Sequence, residues 1–343
     1  MSQGDPTVPQ VDGKFVPDGA LPPARAAGRW RRRGFGWWHE LTLLGLVIAL
    51  LLIAGQLMPR FLELRSQLLL SRQLWEFAIL ALGMTLIIIS GGIDLSVGSA
   101  MGLCAVTFGL THQASGSLVG SCAVCVLTGV IGGSLNGYLV AALNVHPLIV
   151  TLATYAAFRG VAEGLSQGAS YSQFGAEFSG LARGLWWSIP IPGWIFAALA
   201  IAYGLFLGKT PGGRFLYAMG WNEQAARFAG VPVGRLKFGL YVNSGLLAAL
   251  ATIIYVSRFD TAKADAGTGL ELDVITAVVV GGTSIFGGRG NIWGTVLGLI
   301  LIHETRLFVG RRWSIDELKP IVVGCLLITS SLAYRILDRR NRE

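Results

Sequence analysis

Long apolar runs separated by short polar segments fill most of the chain from residue 41 onward. Most runs approach the roughly 20 residues that an α-helix needs to cross a bilayer core about 30 Å thick. A β-barrel would instead alternate apolar and polar residues. The pattern predicts an all-α polytopic membrane protein with about ten transmembrane helices. The runs lie near residues 41–58, 74–90, 97–112, 117–142, 147–165, 190–207, 238–257, 274–286, 291–308 and 320–337.

Two of the spans, 97–112 and 274–286, are short and border glycine-rich turns. These turns, 91–98 and 281–288, share the pattern GG-x5-G, which hints at an internal repeat. Non-helical backbone is tolerated at membrane depth only inside protein or beside a water-filled cavity. We therefore expect broken or re-entrant helices there. GxxxG spacings predict close helix packing. They occur at Gly98/Gly102, Gly129/Gly133/Gly137 and Gly294/Gly298.

Composition agrees with a membrane protein, since 53% of the residues are hydrophobic, 13% are charged and the mean hydropathy is +0.60. It argues against a cytosolic enzyme, a secreted disulfide scaffold and a disordered protein. Cys122 and Cys125 have CxxC spacing, but they sit in an apolar run that offers no partners for zinc or redox chemistry. Buried packing is the preferred interpretation of both thiols.

The positions of the charged residues predict three parts of the chain and their orientation in the membrane. We expect a cytoplasmic tail over 1–40, a transmembrane domain over 41–337 and a cytoplasmic tail over 338–343. The formal net charge is +8, and basic residues are concentrated in both tails and in loop 208–237. The positive-inside rule places these segments in the cytoplasm and loops 166–189 and 258–273 in the periplasm. Because the basic residues flank membrane spans, we expect contact with the membrane and no nucleic-acid partner.

No catalytic motif is apparent. The segment Gly204–Thr210 has GxxxGK spacing where a phosphate loop requires GxxxxGK[ST], and it ends an apolar helix instead of opening one. The four histidines lie in different segments, without HExxH or GxSxG patterns. We therefore expect a protein that is not an enzyme, with no cofactor of its own. An intramembrane enzyme is the least favoured function.

Ionisable residues inside predicted spans are costly in lipid, so each needs a protein or cavity environment. Asp94, between Gly92 and Ser96, suits a helix N-cap, and proton coupling is the alternative. Arg159 and Glu163 are four residues apart on one helical face. They form either a simple ion pair or part of a substrate path, and the sequence favours neither.

Loop 208–237 is long for a connection and contains a short helix-competent stretch from Gly220 to Gly230. It is interpreted either as an amphipathic loop lying on lipid or as a docking helix for a cytoplasmic partner.

Three segments resemble the permease subunits of ribose-type sugar ABC importers: 91–99, 222–231 and 271–290. The resemblance covers roughly residues 40–337 in the family's order. It implies the ABC importer permease fold in a bacterial inner membrane, with a second permease copy or a related permease as partner. A cytoplasmic ABC ATPase that binds ATP and a periplasmic sugar-binding protein are also implied.

The resemblance also implies roles for particular residues. The ATPase-coupling residues would be Asn222, Glu223, Ala225, Ala226 and Gly230. Residues of the translocation path, or of its framework, would be Gly92, Asp94, Ser96, Arg159, Glu163, Gly281 and Gly282.

The substrate implied by the resemblance is a monosaccharide. The run 257–265 carries charged residues where ribose permeases are milder. We therefore expect a deoxyhexose such as rhamnose, another pentose, or the signal autoinducer-2. The alternative function is a proton-coupled secondary sugar carrier that uses Asp94 or Glu163.

Overall fold

Helices make up most of the described part of the chain, which in the computed structural model comprises residues 38–313, 315, 318–326 and 328. This confirms the predicted all-α polytopic architecture. Residues 1–37 of the predicted N-terminal tail, the C-terminal tail 338–343 and most of the predicted span 320–337 lie outside the described residues.

Thirteen α-helices have bounds in the described residues, and residues 318–326 are also helical. They are α1 Trp38–Leu57, α2 Leu64–Leu70, α3 Trp75–Ile89, α4 Val97–Ser115, α5 Leu118–Ala141, α6 Pro147–Ser166, α7 Ala176–Arg183, α8 Ile191–Lys209, α9 Pro211–Trp221, α10 Glu223–Phe228, α11 Val233–Phe259, α12 Leu270–Val280 and α13 Ile292–Trp313. Short 3₁₀ helices cover Pro59–Leu62 and Ser71–Gln73.

Four two-residue strands form two antiparallel pairs. They are β1 Tyr171–Ser172, β2 Leu185–Trp186, β3 Ile189–Pro190 and β4 Thr261–Ala262. In the first pair, β1 lies beside β4 with Tyr171 opposite Ala262. This pair joins two loops that are far apart in sequence.

The predicted count of ten spans is not confirmed. Six helices of the described chain are long and apolar enough to cross a membrane, or seven if the bent pair Ser66–Gln73 and Trp75–Ile89 is one span. The helix α4 has 19 residues but is not among the six, since glycines and polar residues lower its hydropathy. With 11 residues, α12 is about 16 Å long, too short to cross alone.

The predicted boundaries of the span 274–286 were also wrong. The helix ends at Val280, because Gly282 adopts a left-handed backbone with φ of +90° and stops it. The apolar residues that follow belong to a turn.

The core surrounds α3, whose residues from Glu76 to Ile89 are all buried. A helix that is apolar on every face is stable only when other elements cover it completely. Here α8, α11, α12 and α13 pack around it. At the start of α3, Arg258 Nε donates to Glu76 Oε1 over 2.7 Å, so this buried carboxylate is paired.

Glycines allow two helix pairs to pack backbone against backbone. A Cβ added to Gly129 or Gly133 of α5 would collide with the backbone of α11 at Gly245 or Tyr241. Gly294 and Gly298 of α13 are similarly close to α12 and to the turn that follows it. The predicted close helix packing is confirmed at these two GxxxG patterns.

The two ends of α11 mark opposite ends of the molecule, because 27 residues of helix extend about 40 Å. The β1–β4 pair lies near its C-terminal end. Near its N-terminal end lies α10, and α9 leads into α10. The turn 281–291 contacts Gly220 of α9, and Glu40 Oε1 accepts a hydrogen bond from Asn291 Nδ2 over 2.6 Å. The start of α1 therefore lies at the same end as loop 208–237.

Cysteine labelling will test which end faces the cytoplasm. In a variant without native cysteines, Ser172→Cys should react with an impermeant maleimide added to spheroplasts, which lack the outer membrane but keep the inner membrane sealed. Gln224→Cys should react only in inverted vesicles, since both positions are exposed and lie at opposite ends. If Ser172→Cys were labelled in inverted vesicles alone, the predicted orientation would be wrong, and this end would face the cytoplasm.

Candidate functional site

A buried polar cluster occupies the break between α3 and α4. Asp94 Oδ1 accepts hydrogen bonds from the amide and the hydroxyl of Ser96, at 2.9 and 2.6 Å. Asp94 Oδ2 accepts from Ser244 Oγ of α11 at 2.7 Å. Asn136 Nδ2 of α5 donates to Ser96 Oγ at 2.8 Å. The cluster therefore ties the break to two neighbouring helices.

Asp94 is not the N-cap of α4. That position belongs to Ser96, which makes no capping hydrogen bond through its side chain. The Asp94 carboxylate instead accepts one hydrogen bond from the amide of Ser96, just before the helix, and another from Ser244 of α11. Gly92 is needed beside it, because a Cβ there would lie 3.0 Å from Tyr241 Oη.

A cavity of about 10 Å³ adjoins this cluster, lined in part by Asp94, Ser96, Asn136 and Ser244. This is the size of a single water. Asn136 Oδ1 is buried and has no hydrogen-bond partner within the described chain. A sugar does not fit this space, so the structure is closed at this point.

Sequence reasoning did not identify Asn136 or Ser244. A signal was present for Asn136, an amide three residues after Gly133 in an otherwise apolar, glycine-lined run. Nothing local marks Ser244, whose partner Asp94 is 150 residues away.

A second break lies between α11 and α12, where residues 260–269 run along α4 without forming a helix. The ring of Tyr171 covers Gly109, and the carbonyls of Ala264 and Gly267 lie against Gly102 and Gly98. Eleven helical residues separate Gly109 from Gly98, a distance of about 16 Å along the axis. Gly98 and Gly102 therefore pack against the backbone of this loop and against the side chains of Glu271 in α12 and Arg159 in α6, and not against the backbone of another helix.

Arg159 of α6 supplies hydrogen bonds to this non-helical segment. Its Nη1 donates to the carbonyl of Ala264, and both Nη atoms lie within 3.5 Å of the Ala266 carbonyl. Glu163 is exposed and forms no ion pair with Arg159 within 4.0 Å. The guanidinium thus stabilises carbonyls that a helix would have satisfied internally. A role of either residue in a substrate path remains a prediction.

The other face of this segment is polar and accessible. Lys263 Nζ and Asp265 Oδ2 form an ion pair at 3.0 Å, with side chains 40% and 63% exposed. The hydrogen bond to Asp265 raises the pKa of Lys263, so its ammonium stays charged at neutral pH. Charged side chains on a segment that lies beside a membrane helix require access to water.

The helix α10 is defined by the two residues that cap it. Asn222 Oδ1 accepts the amide of Ala225 at 2.9 Å, which caps the N-terminus. Gly230 has φ of +82° and donates its amide to the Arg227 carbonyl at 3.1 Å. Val231 N donates to the Ala226 carbonyl at 3.0 Å, which completes a Schellman motif. Asn222 and Gly230 thus fix where this helix begins and ends.

Two side chains of α10, Ala226 and Glu223, make contacts within the chain. Ala226 is 5% exposed and packs in a core cluster with Leu216, so its side chain is not available to a partner. Glu223 pairs with Arg227 at 3.1 Å and with Lys237 at 2.6 Å. Burial alone would raise the pKa of Glu223, but Lys237 and then Arg227 lower it, so the carboxylate is ionised and paired. The exposed residues of α10 include Gln224, Ala225 and Phe228.

A glycine junction, formed by Gly91, Gly220, Gly287 and Gly288, connects α9 to both turns that follow broken helices. Gly220 of α9 packs directly on the Ile89 carbonyl and the Gly288 amide. Gly288 N also donates to the Ile89 carbonyl at 2.9 Å. A Cβ on Gly287 would lie 3.0 Å from Gly91 Cα. The segment that leads into α10 therefore contacts the end of α3 and the turn after α12.

The two turns have the same local geometry, offset by one residue from the sequence pattern. Gly91 and Gly282 have φ of +87° and +90°. Gly91 N donates to the Ile88 carbonyl, and Gly282 N donates to the Val279 carbonyl, both over 2.9 Å. Gly91 is thus equivalent to Gly282. Gly281, which has an ordinary φ, packs instead against Gly294.

The family model described as "Branched-chain amino acid transport system / permease component" matches residues 68–331. The chain is 34% identical to an autoinducer 2 import system permease protein LsrD of Yersinia pseudotuberculosis serotype O:3, over 86% of this chain and 90% of that protein. It is 33% identical to the LsrD protein of Photorhabdus luminescens, over 88% of this chain and 92% of that protein. No solved structure matches the chain.

Arg159→Leu should destabilise the protein, because two carbonyls of segment 260–269 lose a charged donor. A loss of about 2 kcal/mol is expected for hydrogen bonds to a charged group. Thermal unfolding in detergent measures it, with Glu163→Gln as the matched control on the same helix. An unchanged melting temperature for Arg159→Leu would contradict the stabilising role.

Gly220→Ala and Gly239→Ala should change stability in opposite directions. Ala is favoured over Gly in a helix by roughly 0.5–1 kcal/mol, and nothing lies within 4 Å of a Cβ at Gly239. At Gly220 the new methyl would overlap the Ile89 carbonyl, so the variant should unfold at a lower temperature. Equal stabilisation of both variants would show that the junction is not close-packed.

Proposed function

The chain belongs to the family of permease components of branched-chain amino acid transport systems, and from this premise we propose that it imports a small sugar-like molecule for an ABC transporter. The motifs that resemble ribose-type sugar ABC importer permeases agree with this membership. The proposed location is the bacterial inner membrane, with both termini and loop 208–237 in the cytoplasm.

The proposed substrate is autoinducer-2. The relatives that support it are import permeases for this signal, which match the chain over nearly its full length. Rhamnose, another deoxyhexose and a pentose are the sugars against which this proposal is compared. They are chosen because the charged run 257–265 distinguishes the chain from ribose permeases. Lys263 and Asp265 offer a donor and an acceptor to hydroxyl groups.

The proposed partners are a cytoplasmic ABC ATPase that binds ATP, a periplasmic sugar-binding protein and a second permease, identical or related. The observation that carries the proposal is the glycine junction. It places the segment leading into α10 in backbone contact with the end of α3, at the first break, and with the turn after α12. A force applied to α10 by an ATPase would act on these two turns directly.

The proposed transport cycle begins from the closed state. The cavity beside Asp94 holds about one water, so substrate passage requires the helices around it to separate. The breaks at 90–96 and 260–269 are the places where such movement disturbs the fewest helical hydrogen bonds. The polar face of segment 260–269 would then line the path.

A proton-coupled carrier is the competing mechanism, with Asp94 as the proton site. Three hydrogen bonds from Ser96 and Ser244 already bind this carboxylate, which supports a structural role.

Uptake into proteoliposomes containing permease, ATPase and binding protein distinguishes the two mechanisms. Autoinducer-2 uptake should require ATP inside, persist with an uncoupler and stop with vanadate. Asp94→Asn should retain most uptake, because the amide oxygen still accepts from Ser96 and the amide nitrogen can donate to Ser244. ATP-independent uptake that an uncoupler abolishes would replace this proposal with the carrier, and uptake of a comparison sugar alone would change the substrate.

A further inference from the structure

Three large aromatic side chains are exposed at the end of the molecule that carries α10. Trp221 is 71% exposed, Phe228 is 93% exposed and Phe286 is 92% exposed. Phe228 ends α10, Trp221 ends α9, and Phe286 lies in the turn after α12. The proposed transport mechanism uses none of these rings, and burying each one would contribute favourable free energy.

The ring of Phe228 points away from the rest of the chain. Ala226 of α10 faces inward, where it packs in a core cluster with Val233 and Tyr241 of α11. Two residues along an α-helix turn the side chain by about 200°, so Phe228 projects from the opposite face. This face therefore points away from the core cluster that Ala226 joins.

Phe286 lies at the tip of a tightly held turn. Ser284 N donates to the Arg289 carbonyl at 3.0 Å, and Gly287 N donates to the Ser284 carbonyl at 2.9 Å. Gly287 is buried beneath the tip, against the glycine junction. The turn thus presents Phe286 from a fixed backbone, beside the segment that leads into α10.

The surface around these rings is basic. Arg289 lies over the Trp221 ring, with its guanidinium carbon 5.4 Å from the ring centre. Glu223 is the one acidic residue in loop 208–237 and turn 281–291, and it is paired. The basic residues of the two segments are Lys209, Arg214, Arg227, Arg235, Lys237 and Arg289. A complementary partner therefore has apolar pockets with an acidic rim.

We propose that turn 284–289 is a second docking point for the ABC ATPase, in which Phe286 fills an apolar pocket beside the one that receives Phe228. This rests on the proposed function, and extends it from one helix to a two-part surface. The ATPase would then contact both sides of the glycine junction, and rotation of its surface would shift the turn relative to α10. Anionic lipid is the competing occupant, because aromatic and basic residues also favour the membrane interface.

Photo-crosslinking in the source cells tests the proposal. Benzoylphenylalanine is placed at Phe286 or Phe228, and at Phe259 as a control. The control is also an exposed phenylalanine, 48% accessible, but it lies at the opposite end of α11. Mass spectrometry should identify peptides of an ABC ATPase bonded to positions 286 and 228, and none bonded to position 259.

Co-purification provides an independent measurement with the same ATPase. Phe286→Ala should reduce the ATPase recovered with the tagged permease by about tenfold, as expected for truncation of an aromatic anchor. Leu272→Ala, which truncates a 63% exposed side chain on α12, should leave recovery unchanged.

The outcomes separate this inference from the proposed function. ATPase crosslinks at 228 without any at 286, or lipid adducts alone at 286, would overturn the second docking point and leave the proposed function standing. Crosslinks at neither position, together with no co-purification by the unmodified permease, would overturn both.

Discussion

Direct contact of backbone with backbone, made possible by glycine, is the interaction on which the rest of this structure depends. Gly129 and Gly133 bring α5 against α11, and Gly102 admits a non-helical segment against α4. Gly220 brings α9 against two turns. In a membrane, where lipid is as apolar as leucine, such close packing replaces the hydrophobic effect as the source of helix association. Any side chain at these positions would separate the elements that the proposed mechanism needs in contact.

Close packing also explains how the structure tolerates irregular backbone. Segment 260–269 has lost helical hydrogen bonds, and Arg159 replaces two of them from a neighbouring helix. The break before α4 uses Asp94 and Ser96 in the same way, with Ser244 as the link to α11. Each break is therefore stabilised by side chains from other helices, so a movement of those helices changes the break as well. That dependence is what a transporter driven from outside the membrane requires.

Much of the fold followed from local pattern, and the errors have physical causes. Apolar runs located the helices, and the glycine-rich turns located the break at 90–96 and the turn after α12, whereas the break at 260–269 was not predicted. The end of α12 was misplaced because Ile285 and Phe286 extend the apolar run, whereas the left-handed Gly282 ends the helix. Gly98/Gly102 and Gly129/Gly133 have the same spacing, but the first pair packs against loop carbonyls and two side chains, and the second pair against the backbone of α11. The GxxxG spacing indicates that another part of the chain approaches the two glycines closely, and the tertiary structure determines which part that is. Ala226 illustrates the same limit, since a small residue suits a partner's surface or its own core equally well.

Hydrogen–deuterium exchange at the glycine junction tests this account most directly. Gly288 N donates to the Ile89 carbonyl, although Phe286, two residues earlier, lies in the exposed tip of the turn. In lipid nanodiscs the amide of Gly288 should exchange at least about a hundredfold more slowly than that of Phe286, because its hydrogen bond opens only when the turn and α3 separate. Equal, fast exchange at both amides would show that the turn is not held against α3, and the proposed connection between α10 and the two turns would be wrong.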